Sequence, residues 1–183
     1  MSQLRRIAGA VLRRIQCLAL YRKLGQRFAA RVTIREATDA DKVDVRRWLN
    51  PQGDLTPHQN PGVTDWVAYR RGHLAGFVQL VRHPPEHFPY TGHWLFGLVV
   101  KSRQQGFGIG ERLSLAVIAR SLEEGAPALS LLVDDNNARA IRFYRKLGFE
   151  FCVIPEIEAQ LEQGRKPSGS RRVVMRKPLA GPE

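Results

Sequence analysis

The segment Leu98–Leu113 reads LVVKSRQQGFGIGERL, and it changes from an apolar strand pattern to a helical pattern across three alternating glycines. Glycine permits positive φ angles and lets a ligand approach the main chain closely. The first amides of a helix have no intrahelical partner and carry the positive end of the helix dipole. A strand, a glycine loop and a helix in this order therefore predict an anion-binding cradle suited to a pyrophosphate.

The spacing of these glycines excludes two common nucleotide-binding motifs. A GxGxxG dinucleotide fingerprint counted from Gly108 would need a third glycine where Leu113 stands. No GK[ST] follows the glycines, so the loop is not a P-loop.

A second patterned block begins 27 residues after the last glycine, where Asn137–Phe149 reads NARAIRFYRKLGF. Together the two blocks resemble the GNAT family, the GCN5-related N-acetyltransferases. In that family the pattern [RQ]xxGx[GA] begins the helix that holds the pyrophosphate of acetyl-CoA, and Gln105–Gly110 matches every fixed position. The second family signature is matched by Asn137, Ala140, Phe143, Tyr144, Gly148 and Phe149.

The resemblance implies a fold and a reaction. The fold is α/β, with a mixed, mostly antiparallel twisted sheet flanked by helices and with splayed central strands. The reaction is direct transfer of an acetyl group from acetyl-CoA, without a metal, to a small-molecule or protein amine, with Tyr144 as the general acid. The implied cofactor-binding residues are Leu98, Val99, Val100, Gln105, Gly106, Phe107, Gly108, Ile109, Gly110 and Asn137. The residues alone leave Tyr144 open as a packing residue and Asn137 as a helix N-cap.

The general base departs from the family pattern. Many members carry a Glu on the strand before the glycine loop, but His93–Val100 reads HWLFGLVV and contains no carboxylate. The candidates are His93 at the start of that strand and Glu86 or His87 in the preceding loop, and an ordered water is the alternative.

The remaining patterns predict alternating strands and helices in the second half of the chain. Expected strands are 32–35, 66–70, 73–82, 93–101, 128–133, 149–154 and 172–176, with a hairpin turn at 71–72. Helices are expected from the Thr38 cap to Leu49, from the glycine loop to Leu122, and over 137–147. Residues 51–63 and the basic stretch between the last two strands are expected to be loops.

Composition supports a single globular domain. The chain has 183 residues, of which 43% are hydrophobic and 25% charged. Its two cysteines form no zinc or disulfide pattern, which favours a reducing, cytoplasmic location. We expect a basic amphipathic helical extension over 1–30, an acetyltransferase domain over 31–178 and a tail over 179–183.

The charge is concentrated at the two ends of the chain. Residues 1–35 hold nine Arg or Lys and no acid, while residues 36–163 hold 14 basic and 16 acidic side chains. Apolar residues at helical spacing run through the extension, namely Leu4, Ile7, Ala8, Val11, Leu12, Ile15 and Leu18. We expect the extension to be a helix packed on the body, a membrane-surface helix or a targeting presequence, and a disordered extension is the remaining alternative.

These patterns predict one binding partner and leave others open. An amine acceptor is expected, and a homodimer and an acidic or membrane-peripheral partner for residues 1–30 are left open. No specific nucleic acid is predicted. Two other functions compete with catalysis: an acyl-CoA-binding regulatory module without turnover, and a basic RNA- or membrane-associated protein that acts through its ends.

Deleting residues 1–30 should leave acetyl-CoA binding intact, because that segment lies outside the resemblance to the family. Calorimetry with acetyl-CoA checks this expectation. Loss of a packed helix should leave a less stable body with an exposed apolar patch, whereas loss of a membrane anchor should leave a more soluble one. Anionic-vesicle binding that persists in the truncated protein would contradict the anchor.

Overall fold

A single sheet of seven strands organises the part of the chain that the computed structural model describes, which comprises residues 32–50, 62–163 and 169–179. The predicted extension 1–30 and most of the predicted loop 51–63 lie outside the described residues. The strands are β1 (Val32–Glu36), β2 (Val63–Arg70), β3 (His73–His83), β4 (Gly92–Val100), β5 (Ala128–Asp134), β6 (Glu150–Phe151) and β7 (Arg172–Pro178). Their order across the sheet is β1-β2-β3-β4-β5-β7-β6.

Four helices cover the sheet within these residues: α1 (Asp39–Leu49), α2 (Ile109–Glu123), α3 (Ala138–Lys146) and α4 (Pro155–Gln163). Buried residues of α2 and α3 share one apolar cluster with β3, β4 and β5. Val45 of α1 and Ile157 of α4 belong to two clusters built from other strand residues. Because side chains alternate along a strand, the α2–α3 pair and the α1 and α4 helices lie on opposite faces.

The central strands separate soon after they meet. Among the described strands, β4 and β5 form the one parallel pair, and they pair only at His93–Leu129 and Trp94–Ser130. All other neighbouring strands are antiparallel. The predicted fold class, with its splayed central strands, is confirmed.

A β-bulge lies on β4 where the separation begins. Phe77 of β3 pairs with Val99, and Gln79 pairs with Phe96, so β4 contains one more residue than β3 over this interval. Gly97, within the bulge, has φ +58°, a conformation that residues with side chains rarely adopt.

Helix α2 packs closely on β3 because one position of that strand has no side chain. A Cβ on Gly76 would lie 3.0 Å from Leu113 Cδ1 and 3.1 Å from the carbonyl oxygen of Val99. Ile109, Leu113, Val117 and Ile118 are buried in this contact, which matches the helical spacing of apolar residues after the glycine loop. The contact holds the first turn of α2 beside the end of β4.

The beginning of α1 is held by a buried carboxylate. Asp41 forms a two-point ion pair with Arg35 of β1, and it accepts hydrogen bonds from the amide and the hydroxyl of Thr38 at 2.7 and 2.6 Å. The Tyr69 hydroxyl of β2 donates to the same carboxylate at 2.5 Å. The Arg35 guanidinium, followed by the Thr38 and Tyr69 donors, holds the pKa of Asp41 well below its usual range, although burial opposes this.

Two expectations for the C-terminal part were wrong. The strand predicted over 149–154 is limited to Glu150–Phe151, and residues 155–163, predicted as a loop, form α4. Pro155 at the first helical position and Glu156 and Glu158 in the first turn favour a helix there. Ile157 of α4 then packs against Trp94 and Val174, a tertiary contact that the local pattern does not show.

No helix among the described residues combines the length and the apolar character needed to cross a bilayer.

The substitution Asp41→Asn should lower the free energy of unfolding by about 2 kcal/mol, because it removes charge-assisted hydrogen bonds from a buried position. The carboxylate's contribution is complete above its unfolded pKa near 4 and disappears as the pH falls, since its folded pKa is the lower one. Urea unfolding should therefore show a difference that is largest near pH 7 and shrinks below about pH 4.

Asp39→Asn is the matched control for this measurement, because Asp39 is an exposed acid of the same first turn and pairs with the exposed Lys42. It should change stability little. A stability deficit of Asp41→Asn that stays constant from pH 7 to pH 2 would contradict the assignment.

Candidate functional site

A cavity of about 470 Å³ lies where β4 leaves β5, between the end of β4, the first turn of α2 and one face of α3. The strand contributes Leu98 and Val100. The glycine loop and α2 contribute Gln104, Gln105, Gly106, Gly108, Ile109, Gly110 and Glu111, and α3 with its cap contributes Asn137, Arg139, Ala140, Phe143 and Tyr144. The site is therefore built from the two segments that the sequence singled out.

The glycine loop leaves its main chain open to the cavity. Gly106 and Gly108 have φ +84° and +71°, and a Cβ added at either position would meet nothing within 4 Å. Packing within the protein therefore does not demand glycine at these positions. The positive φ angles do demand glycine, and the absence of side chains leaves space in front of the loop for a ligand.

The N-terminus of α2 has unsatisfied amides at this point. Gly108 is the N-cap, and no side chain caps the helix. A 15-residue helix brings its dipole to this end, so the site attracts anions through the backbone. The charged side chains of the lining are Arg139 and Glu111, which have opposite signs, so the main chain dominates the anion affinity.

Hydrogen bonds across the site fix the shape of the loop. Gln105 Nε2 donates to the carbonyl oxygen of Val100 at 3.3 Å, and Gln105 Oε1 accepts from Arg139 at 3.1 Å. One side chain thus joins the end of β4 to the start of α3. On the outer side, Arg70 of β2 donates to Gln104 at 3.0 Å and stacks over Phe107 at 3.6 Å from the ring centre.

Helix α3 supplies a capping residue and a phenol. Asn137 accepts a hydrogen bond from the Ala140 amide at 3.0 Å, so it is the N-cap of α3 and also lines the cavity. Tyr144 packs edge-on against Phe143 and Phe149, with ring centres 5.1 and 5.7 Å away. No described residue forms a hydrogen bond with its hydroxyl.

Burial raises the pKa of Tyr144 to about 12. The phenol therefore stays protonated throughout the neutral range and is available as a hydrogen-bond and proton donor.

Nine of the residues implied as site residues line the cavity: Leu98, Val100, Gln105, Gly106, Gly108, Ile109, Gly110, Asn137 and Tyr144. Val99 and Phe107 are not among the lining residues. Val99 follows Leu98 on β4, so its side chain points to the other face of the sheet. Phe107 lies under Arg70 instead of facing the cavity.

The base candidates His93, Glu86 and His87 lie away from the cavity. His93 is at the start of β4, and its Nε2 lies 3.7 Å from Glu124 at the C-terminal end of α2, opposite the glycine loop. Burial lowers the pKa of His93, although the nearby Glu124 opposes this. Glu86 is exposed in a single 3₁₀ turn, Pro85–His87, between β3 and β4.

The lining includes five residues that the sequence did not assign to a site: Gln104, Glu111, Arg139, Ala140 and Phe143. For two of them a signal was present, because Ala140 and Phe143 share a face of α3 with Tyr144 at helical spacing. Gln104, Glu111 and Arg139 reach the cavity because the loop between β4 and α2 turns toward α3.

A comparison with protein families decides the classification. Residues 31–149 match the acetyltransferase (GNAT) family. The chain belongs to the GNAT acetyltransferase family. The glycine loop and the Asn137–Phe149 segment are the two segments that carry the resemblance to the GNAT family.

One individual acetyltransferase matches part of the chain. It is 31% identical over 112 residues to a mycothiol acetyltransferase from Paenarthrobacter aurescens (strain TC1), and the match covers 61% of this chain and 31% of that protein. The match thus spans about a third of the length of that relative.

Solved structures show the same fold. The ribosomal-protein-S18-alanine N-acetyltransferase from Escherichia coli has a TM-score of 0.60 at 19% identity and covers 83% of this chain and 96% of its own. An aminoglycoside 6'-N-acetyltransferase complexed with coenzyme A has a TM-score of 0.59 at 19% identity, over 82% of this chain and 99% of its own. At these identities the likeness concerns the fold.

Within the described residues there is no group of three or more His, Cys, Asp or Glu side chains that could hold a metal ion.

Proposed function

We propose that this chain transfers an acetyl group from acetyl-CoA to a primary amine. The observation that supports this best is the gap between β4 and β5, which ends at the uncapped, glycine-opened N-terminus of α2. A long ligand with an anionic pyrophosphate and a neutral arm matches that combination of open strand and anion cradle. The GNAT membership of the chain supports the same choice of ligand.

The residues present fit acetyl-CoA in three respects. A Cβ at Gly106 or Gly108 would meet nothing within 4 Å, and one at Gly110 would be in ordinary contact with Val100 and Phe143, so a pyrophosphate can approach the main chain of the loop. The edge of β4 at Leu98–Val100 has no β5 partner, so its main chain is available to the pantetheine arm apart from the Val100 carbonyl, which accepts from Gln105. Asn137 and Tyr144 line the opposite wall.

Bound acetyl-CoA supplies the acyl group as an activated thioester. The amine nitrogen attacks the thioester carbonyl, the carbon–sulfur bond breaks, and the protons lost by the nitrogen pass to water. The role we assign to Tyr144 is to donate a proton or a hydrogen bond to the departing sulfur. Its hydroxyl has no partner among the described residues and its raised pKa keeps the proton in place at neutral pH. The water-poor surroundings that raise this pKa also strengthen the hydrogen bond that it can donate.

One observation favours a second candidate function. β4 carries no carboxylate, so a module that binds acyl-CoA without turnover remains the competing proposal. Turnover of acetyl-CoA in the presence of primary amines separates the two proposals, since a pure binding module would show affinity without amine-dependent release of CoA.

Gly108→Glu should abolish acetyl-CoA binding, because it places a side chain and a negative charge in front of the amides that face the cavity. Its backbone strain should cost about 1–2 kcal/mol of stability. Calorimetry with acetyl-CoA and urea unfolding measure the two effects separately.

Gly72→Glu is the matched control for this prediction. Gly72 has φ +76° and open space around its Cβ position, but it lies in the turn between β2 and β3. This variant should lose similar stability and keep its affinity for acetyl-CoA. Equal loss of affinity in both variants would mean that strain, and not the loop, explains the result, and wild-type protein that ignores acetyl-CoA would refute the proposed function.

Tyr144→Phe should lower kcat by about 10²–10⁴-fold with little change in acetyl-CoA affinity, because it removes an acid catalyst and little volume. Since the pKa of Tyr144 is raised to about 12, its ionisation should produce no alkaline limb in the wild-type profile below about pH 11. The profiles of wild type and variant should therefore run parallel from pH 6 to pH 10.

Tyr90→Phe serves as the control, because the Tyr90 hydroxyl donates to Gln160 of α4 and does not line the cavity. It should leave kcat unchanged. A Tyr144→Phe enzyme with wild-type kcat would show that Tyr144 only packs.

A further inference from the structure

A carboxylate–amide pair lies on the sheet beside the point where β4 and β5 separate. Asp65 of β2 and Gln79 of β3 are opposite each other in the strand register, and Gln79 Nε2 donates to Asp65 Oδ1 at 2.8 Å. Both residues are half-buried. The next residue across the sheet from Gln79 is Phe96 of β4, directly before the bulge at Gly97. The pair is therefore one strand away from the opening of the cleft.

The pair lies on the face of the sheet opposite α2. Val67 and Phe77, two residues from Asp65 and Gln79 along their strands, pack against α1. Val78 of β3 instead belongs to the cluster that α2 covers. Since side chains alternate along each strand, Asp65 and Gln79 point to the α1 face. A group held there would approach the cleft from the side that α2 and α3 do not occupy.

The bulge leaves the amide of Gln79 accessible. A Cβ on Gly97 would lie 3.7 Å from Gln79 Oε1 and 3.8 Å from Phe77 Cε1. Gly97 is exposed, so any side chain at this position would stand over the oxygen of the amide. The positive φ that the bulge requires therefore also keeps the approach to Gln79 open.

The orientation of the amide determines which ligand the pair accepts. Gln79 must direct its NH₂ group toward the Asp65 carboxylate, because a carboxylate only accepts hydrogen bonds. Its oxygen, Oε1, therefore faces Gly97. Besides the second N–H of the amide, the groups left for a ligand are the remaining acceptor capacity of Asp65 and the Oε1 atom of Gln79. Because Asp65 is negatively charged, these acceptors favour a cationic donor and repel a carboxylate or a phosphate.

The charge of Asp65 is not neutralised by the described part of the chain, in which no lysine or arginine forms an ion pair with it. Other acids with reduced exposure bind arginines, as Glu124 binds Arg82 and Glu158 binds Arg171. A half-buried carboxylate that has no cationic partner attracts a cation more strongly than a fully hydrated carboxylate does.

We propose that Asp65 and Gln79 form the subsite that binds the ammonium group of the acceptor. This inference rests on the proposed function. An ammonium offers three donors, and the pair offers acceptors from both of its side chains. This subsite selects primary amines over neutral alcohols and places the acceptor nitrogen on the α1 face, next to the opening of the cleft. The rest of the acceptor is not restricted by it.

The test uses the full chain, labelled with ¹⁵N and saturated with CoA, and titrates it with n-butylammonium as the smallest representative of the acceptor class. Chemical shifts of the Gln79 side-chain amide and the Gly97 backbone amide should move with n-butylammonium and stay in place with n-butanol. Asp65→Asn should raise the apparent Kd for n-butylammonium about 10–100-fold, because it removes a charge-assisted hydrogen bond. Asp39→Asn, which removes one acidic charge elsewhere on the chain, should leave that Kd unchanged.

Equal shifts with n-butanol, or the same Kd in the wild type and Asp65→Asn, would overturn the proposal. Since Asp65→Asn retains the shape of the side chain, its acetyl-CoA affinity measured by calorimetry should equal that of the wild type and so reports on folding. If the wild type binds acetyl-CoA but its n-butylammonium shifts do not depend on Asp65, only this inference fails. If the wild type does not bind acetyl-CoA, the proposed function fails. In that case the same n-butylammonium titration without CoA still tests whether Asp65 and Gln79 bind an ammonium group.

Discussion

The site depends on the early separation of two parallel strands. β4 and β5 share two register pairs and then diverge, so the following main chain of β4 has a neighbour on one side only. An exposed strand edge inside a protein is costly unless another group satisfies it. Here the edge borders the cavity, and the bulge at Gly97 marks where the divergence begins. The fold thus provides a slot whose main-chain hydrogen bonds are available to a ligand.

Electrostatic preference at the two ends of this slot comes from different sources. At the wide end the attraction for anions comes from the uncapped amides of α2, since the charged lining residues Arg139 and Glu111 oppose each other. Near the narrow end, on the other face of the sheet, Asp65 presents a negative charge and Gln79 presents its amide oxygen. Tyr144 of α3 lines the cavity, and burial raises the pKa of its phenol and so keeps it neutral. The cleft therefore separates a region that favours anions from one that favours cations.

Local sequence patterns predicted the elements that are stabilised by short-range physics. The Thr38 cap of α1 and the Asn137 cap of α3 rest on hydrogen bonds within four residues, and the glycine loop before α2 rests on positive φ angles. All three are found. Helix α4 was missed, because a proline and two acids signal a helix start only weakly. What holds α4 is the burial of Ile157 against Trp94 and Val174, residues far away in the chain.

By itself the sequence determined the family resemblance, the strand–glycine–helix cradle and most of the residues that line the cavity, because these lie in two continuous segments. Only the tertiary structure decided that His93 belongs with Glu124 at the far end of α2, and that Arg139 reaches the loop through Gln105. It also decided that Asp65 and Gln79 stand together beside the bulge. Register and face are properties of strand pairing across the sheet, and no pattern within one segment encodes which strand a residue will oppose.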